Sequence, residues 1–155
     1  MLIRDIMSTD VQTCRAHESL NAAAQKMWEA DIGALPVLDD KERAVGMLTD
    51  RDICMAAYTR GLPLWQIFAA QAMSSSIVTC RPTDTIDDAE ELMRGNAIRR
   101  LAVVDEGRRV VGVVSMNDLA RAASRAHRGQ GKLVTTMAAI GRPRTLLEPD
   151  APGAG

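Results

Sequence analysis

Two short stretches hold the residues best placed to do chemistry: Gly46-Met-Leu-Thr49-Asp-Arg51-Asp52 and Gly112-Val-Val-Ser115-Met-Asn117-Asp118. Both read Gly-apolar-apolar-Thr/Ser-x-x-Asp, and both fall where a strand-like run gives way to a helical one. Two kinds of chemistry fit. In the first, Thr49 or Ser115 is an N-cap whose hydroxyl accepts from a first-turn amide while Asp52 or Asp118 reaches back, a capping box that needs no ligand. In the second, the helix N-terminus with its unpaired amides and positive dipole end takes a phosphate, and the aspartate, turned toward a cleft, accepts from both hydroxyls of a ribose. The glycine favours the second, because a glycine inside a strand often marks close approach to the backbone. So does the recurrence of the motif.

No nucleophile beside a base, pair of carboxylates in one apolar setting or metal-ligand triad is apparent, so catalysis is not expected. Cys14, Cys54 and Cys80 lack CxxC spacing and are odd in number, which fits reduced thiols. Cys14 and Cys80 read as small buried hydrophobes. His17 and His127, the only histidines, are isolated and read as surface residues, so no metal site is expected. Met27, Met55, Met93 and Met116 read as core filler. Lysine plus arginine (19) almost balance aspartate plus glutamate (20), so nucleic acid is not an expected partner. No apolar run approaches a bilayer span, and the N-terminus lacks a signal-peptide layout. A cytoplasmic protein is expected.

The elements that must position the motifs come from an internal repeat. With Met7 laid over Met73, fifteen of the 47 aligned positions between residues 7 and 53 are identical, without a gap. VQTCR (11–15) lies over IVTCR (77–81), IGALPVLD (32–39) over IRRLAVVD (98–105), and VGMLTDRDI (45–53) over VGVVSMNDL (111–119). Each copy reads as strand, helix, strand, strand, helix. The first strand is Val11–Cys14 or Ile77–Cys80. The helix after it carries Leu20, Ala23, Ala24 and Met27, or Ile86, Ala89 and Met93, with a Thr85–Asp88 capping box in the second. Hairpins follow at Leu35–Leu38 with Val45–Leu48, and at Leu101–Val104 with Val110–Val114. The last helices start near Asp52 or Asp118 and stop at Gly61 or Gly129. The fold class is therefore α/β with a small mixed sheet in each of two β-α-β-β-α units: 1–60 with the N-terminal segment, a linker at 61–72, 73–128, and a partly disordered extension at 129–155. Copies of this size are marginal alone, so they should pack about a pseudo-twofold axis and leave clefts at their boundary.

With these motifs the chain resembles the cystathionine β-synthase (CBS) domain family, arranged as a tandem pair or Bateman module, over about residues 1–128. IGALPV followed by GMLTDRDI is similar to stand-alone bacterial pairs, the hypoxic response protein class among them. The resemblance implies two clefts that take adenosine-containing ligands such as AMP, ADP, ATP or S-adenosylmethionine, with no required cofactor, and pairs that dimerise into flat discs. By position, Asp52 and Asp118 resemble the ribose-binding aspartates and Thr49 and Ser115 the hydroxyl contacts. Val11, Thr13, Ile77 and Thr79 match strand positions flanking the base. Arg99 and Arg100 stand where the family often carries a phosphate contact, against Gly33 and Ala34 in copy one, and Arg51 is replaced by Asn117 in copy two. The two clefts therefore differ. A regulatory sensor of an adenosine ligand, homodimeric, is the first reading. The alternative is a protein–protein interaction module in which the aspartates only cap helices and the apolar linker (Trp65, Phe68) or the tail recruits a protein partner.

Overall fold

A computed structural model describes residues 1–126 and 130–141. Copy one contains β1 (Cys14–Arg15), α1 (Leu20–Ala30), β2 (Ala34–Leu38), β3 (Ala44–Thr49) and α2 (Asp50–Arg60). Copy two repeats the order with β4 (Thr79–Cys80), α3 (Ile86–Asn96), β5 (Arg100–Val104), β6 (Val110–Ser115) and α4 (Met116–Ala126). A last helix, α5 (Gln130–Ile140), lies within the extension beyond copy two. Each copy forms its own three-stranded mixed sheet, with β1 parallel to β2 and β2 antiparallel to β3 in copy one, matched by β4, β5 and β6.

The first strands are shorter than their β-branched runs suggest. Only Cys14–Arg15 and Thr79–Cys80 pair with a neighbour, so Val11, Thr13 and Ile77 lie or begin outside the ladder. The last helices start at Asp50 and Met116 because Thr49 and Ser115 themselves cap them, which makes Asp52 and Asp118 third-position residues. The Thr85–Asp88 box and the left-handed Gly61 cap on α2 form as the local rules require. Of the methionines read as core filler, Met27, Met93 and Met116 are buried, but Met55 is exposed on α2.

Two cores form, one per copy. Leu20, Met27, Leu35, Val37, Leu48 and Ile53 centre the first, and Met93, Leu101, Val103, Val114 and Leu119 the second. Each is completed by residues from elsewhere in the chain. Ile67 and Ala69, from the stretch between the copies, fill the first core, while Ile3 from the N-terminus fills the second. Backbone pairs lock the exchange: Ser8 bonds Val113 in both directions at 3.0 Å, and the Ser74 N–H donates to the Met47 carbonyl at 3.0 Å. Gly46 and Gly112 sit at these crossings. A Cβ on Gly46 would lie 2.5 Å from Met73 Sδ and 2.7 Å from the Ser74 carbonyl oxygen, and one on Gly112 would lie 2.6 Å from Met7 Sδ. The strand glycines thus do mark close approach, but by the chain itself and not by a ligand.

α5 packs on α3 and α4, burying Leu133, Thr136 and Ile140, and Lys132 pairs with Asp87 of α3. On copy one no described helix gives such cover, and Trp28 is 87% exposed and Tyr58 81%.

The turn after α3 places Ala97 at φ 52° and ψ 41°, a left-handed conformation in which a Cβ costs about 1–2 kcal/mol. Ala97 is exposed, so Ala97→Gly should stabilise the chain by about 1 kcal/mol and raise its melting midpoint by roughly 2–4 °C. A calorimetric scan of the two proteins checks this.

Candidate ligand-binding clefts

Both Thr/Ser-x-x-Asp motifs form complete capping boxes. Thr49 Oγ1 accepts from the Asp52 N–H at 3.1 Å while Asp52 Oδ2 accepts from the Thr49 N–H at 2.9 Å. In copy two, Asp118 Oδ2 accepts from the Ser115 N–H at 2.8 Å and from its hydroxyl at 2.5 Å. Capping engages one carboxylate oxygen only, so the two chemistries offered by the motif are compatible. The other oxygen differs between copies. Asp118 Oδ1 is held by the Arg121 guanidinium, whereas Asp52 Oδ1 has no hydrogen-bond partner among the described residues. Asp118 is also the more buried of the two.

The arginines distribute unevenly as well. Arg100 starts β5, paired with Ser115 across the hairpin, but its side chain turns to copy one. Its Nη2 and Asp50 Oδ2 stand 3.3 and 3.1 Å from where a Gly33 Cβ would be. Gly33, which aligns with Arg99 one residue before Arg100, leaves the room into which the Arg100 guanidinium crosses, and the cation stands at the start of α2, next to the motif holding Asp52. Arg99 is exposed; its carbonyl accepts from the Met116 N–H, and among the described residues its side chain has no partner. Arg51 is exposed on the first turn of α2. Ile77, half-buried, faces Val45 of copy one across a cavity between the copies. Thr79 is in β4, opposite Ala102. Val11 and Thr13 are half-buried, and the Thr13 carbonyl accepts from Lys26 Nζ at 3.0 Å. The sequence set Gly33 and Ala34 against Arg99 and Arg100 but did not point to Asp50, whose carboxylate shares the room beside Gly33 with the Arg100 guanidinium.

The thiols offer little to a metal. Burial pushes Cys14 up to about 11, with Glu18 adding to the shift, and Cys80 up to about 12, with Asp84 adding. Each lies in a different core, Cys54 is exposed, and no group of three or more His, Cys, Asp or Glu among the described residues could hold a metal ion. His17 is exposed, 3.9 Å from Asp40, and His127 is outside the described residues. Because the thiolate is the reactive form, a maleimide at neutral pH should label the native chain once, at Cys54, and all three cysteines after unfolding in urea, as read by intact mass.

No described helix is long and apolar enough to cross a membrane. The CBS domain family matches residues 3–58 and 69–125. Hypoxic response protein 1 of Mycobacterium tuberculosis is 38% identical over 143 residues, covering 92% of this chain and 96% of that protein. A crystal structure of Hypoxic Response Protein I with two coordinated zinc ions matches at 39% identity and TM-score 0.71, over 78% of this chain and 98% of that one. The CBS domain pair of protein MJ0100, in complex with 5'-methylthioadenosine and S-adenosyl-L-methionine, matches at 27% identity and TM-score 0.74, over 81% and 98%.

Proposed function

Because this chain belongs to the CBS domain family, as a tandem pair, we propose that it is a regulatory sensor of an adenosine-containing ligand, AMP, ADP, ATP or S-adenosylmethionine, with no catalysis of its own. One observation carries the choice of cleft. At the start of α2, Asp52 keeps a carboxylate oxygen free of its capping duty while Arg100 arrives from the other copy. A ribose can be accepted by that oxygen and a phosphate by the guanidinium, with Thr49 fixing the aspartate and Arg51 at hand on the first turn. In the cleft of Ser115 and Asp118, the second oxygen is already bound to Arg121, and Gly33 and Ala34 align where copy two carries Arg99 and Arg100. That cleft is the weaker site. Ile77 and Thr79 on one side, and Val11 and Thr13 on the other, are the positions for the base. The bound pair of ligands named for the MJ0100 relative supports the ligand class.

Ligand binding would act by favouring one arrangement of a homodimer in the cytoplasm, and only as far as the ligand's affinities for the two arrangements differ. The exposure of Trp28, Tyr58, Trp65 and Phe68 on and beside copy one also supports the second reading, an interaction module that docks a protein partner there. Thermal melting with millimolar AMP, ADP, ATP, S-adenosylmethionine and NAD separates the two. A ligand at 100 times its dissociation constant should stabilise the chain by about 2.7 kcal/mol, several degrees of melting. Asp52→Asn should remove the rise and Asp118→Asn should reduce it little. No rise with any of them defeats the sensor reading and leaves the docking one.

A further inference from the structure

At the far end of β3 from Thr49, the tips of the two hairpins meet: the Ala44 N–H donates to the Arg108 carbonyl at 3.0 Å, and Arg43 bridges to Arg109. A cavity of about 510 Å³ opens there, with Arg43, Arg108, Ser75 and Ser76 at its polar rim and Val45 and Ile77 on its apolar wall. The two arginines are not equivalent. Arg43 is committed to Asp39, with Nε and Nη2 at 2.8 and 2.7 Å from Oδ2. Arg108 Nη2 donates to the Ala44 carbonyl at 3.3 Å and has no carboxylate within ion-pair distance among the described residues. Its charge is therefore available, and two serine hydroxyls stand beside it as neutral donors.

The repeat supplies an internal comparison. At the matching positions on the other side of the pseudo-twofold axis, Arg108 becomes Glu42 and Ser76 becomes Asp10, while Val45 and Ile77 become Val111 and Val11. The apolar wall is kept, and the rim changes sign. Both Glu42 and Arg108 are held left-handed, at φ 63° and 64°, so the backbone of the two tips is the same and the difference lies in side-chain charge. Glu42 is paired with Arg15, whereas Arg108 has no such partner among the described residues.

We propose that the hairpin-tip cavity is an anion pocket for a phosphorylated small molecule, its phosphoryl group on Arg108 and the Ser75 and Ser76 hydroxyls and its body on Val45 and Ile77. The pocket shares Ile77 with the base positions of the Asp52 cleft, but its anion end lies at the other end of β3 from Thr49, and that end stands whether or not Asp52 holds a ribose.

Isothermal titration of inorganic pyrophosphate at low salt, into the full chain, tests it. Arg108→Gly removes the guanidinium and at the same time suits the left-handed backbone, and Ser76→Asp imposes the charge found at the matching position; a melting scan of each verifies the fold. Saturable binding is expected in the parent chain, at least tenfold weaker in both variants, restored by Arg108→Lys and kept in Arg100→Gln. Absence of saturable binding overturns the proposal. So does binding that is lost in Arg100→Gln but survives Arg108→Gly, which would place the anion at the start of α2, and so does binding indifferent to all the substitutions.

Discussion

Gly46→Val should cost about 3 kcal/mol of folding free energy and lower the melting midpoint by roughly 6–12 °C. The reason is where a side chain at this position would go. Met73 Sδ, 2.5 Å from the Cβ position, ends a flexible side chain and can move. The Ser74 carbonyl oxygen at 2.7 Å cannot, because the Ser74 N–H and hydroxyl are both bonded to the Met47 carbonyl one residue further along the same strand. Relief requires the crossing segment to lift off β3, and that segment carries the chain from the first core to the second. Gly112→Val is the matched control. Its nearest backbone atom, the Ser8 carbonyl oxygen, is at 3.2 Å, and the closer obstacle is the Met7 side chain. It should cost clearly less. Urea unfolding of the two variants decides the point: equal losses, or a larger one at Gly112, would mean that the Ser74 crossing yields as readily as the Ser8 crossing.

Ending the chain at residue 129 should cost roughly 3–6 kcal/mol, because Leu133 and Ile140 leave the second core and each is worth about 1.5–3 kcal/mol of burial. The same truncation should alter the response to pH. Glu90 on α3 is 5% exposed, and among the described residues its Oε2 has no hydrogen-bond partner where α3 meets α5; Thr136 Oγ1 of α5 is likewise unpartnered among them. Burial raises the Glu90 carboxyl above its ordinary value, and Asp87 adds to the rise, against Lys132 and Arg94, which lower it. An acid raised in the folded state binds its proton more tightly there than in the unfolded chain. Its contribution is fully present below the ordinary glutamate range and is lost as pH climbs through the raised value. Full-length protein should therefore lose stability from this group as pH rises out of the acid range, and the truncated chain, with Glu90 opened to water, should lose much less. Glu90→Gln in the full chain should abolish the same pH dependence while keeping α5 docked. Denaturation midpoints across the acid-to-neutral range compare the three; an unchanged pH profile in Glu90→Gln would remove Glu90 as its source.

Much of this architecture is legible in the residues, because a repeat with identical Met, Cys, Arg, Gly and Asp positions constrains both halves at once. The hairpins, the Thr85–Asp88 box and the Gly61 cap follow from local patterns that tertiary packing does not oppose. The glycines illustrate the limit. Periodicity shows that Gly46 and Gly112 are anomalous in their strands, but only the path of residues 7–8 and 73–74 shows what fills the space. Arg100 is a second case: alignment places it in copy two, whereas its side chain serves copy one, since a long side chain follows the vacancy at Gly33 and not the repeat boundary. Met55 was indistinguishable from its buried counterparts by type and spacing. α5 is hidden because KLVTTMAAI is apolar around most of its circumference, and without a clear stripe or cap its burial against α3 and α4 decides the outcome. In the clefts, the motif named Thr49, Asp52, Ser115 and Asp118, but which carboxylate oxygen stays open depends on Arg121, one turn further on.

The exchanged leading segments also set an order for folding. Ser8 pairs with Val113 and Ile3 enters the second core, so residues 3–8 wait for the last strand, β6, before they find their partners. Copy one, by contrast, is complete once residue 74 has emerged, because the stretch that finishes its core, Ile67 to Met73, directly follows it. The chain can therefore fold copy one early and close copy two only by retrieving residues 3–8, a long-range step that should be the slow one in refolding.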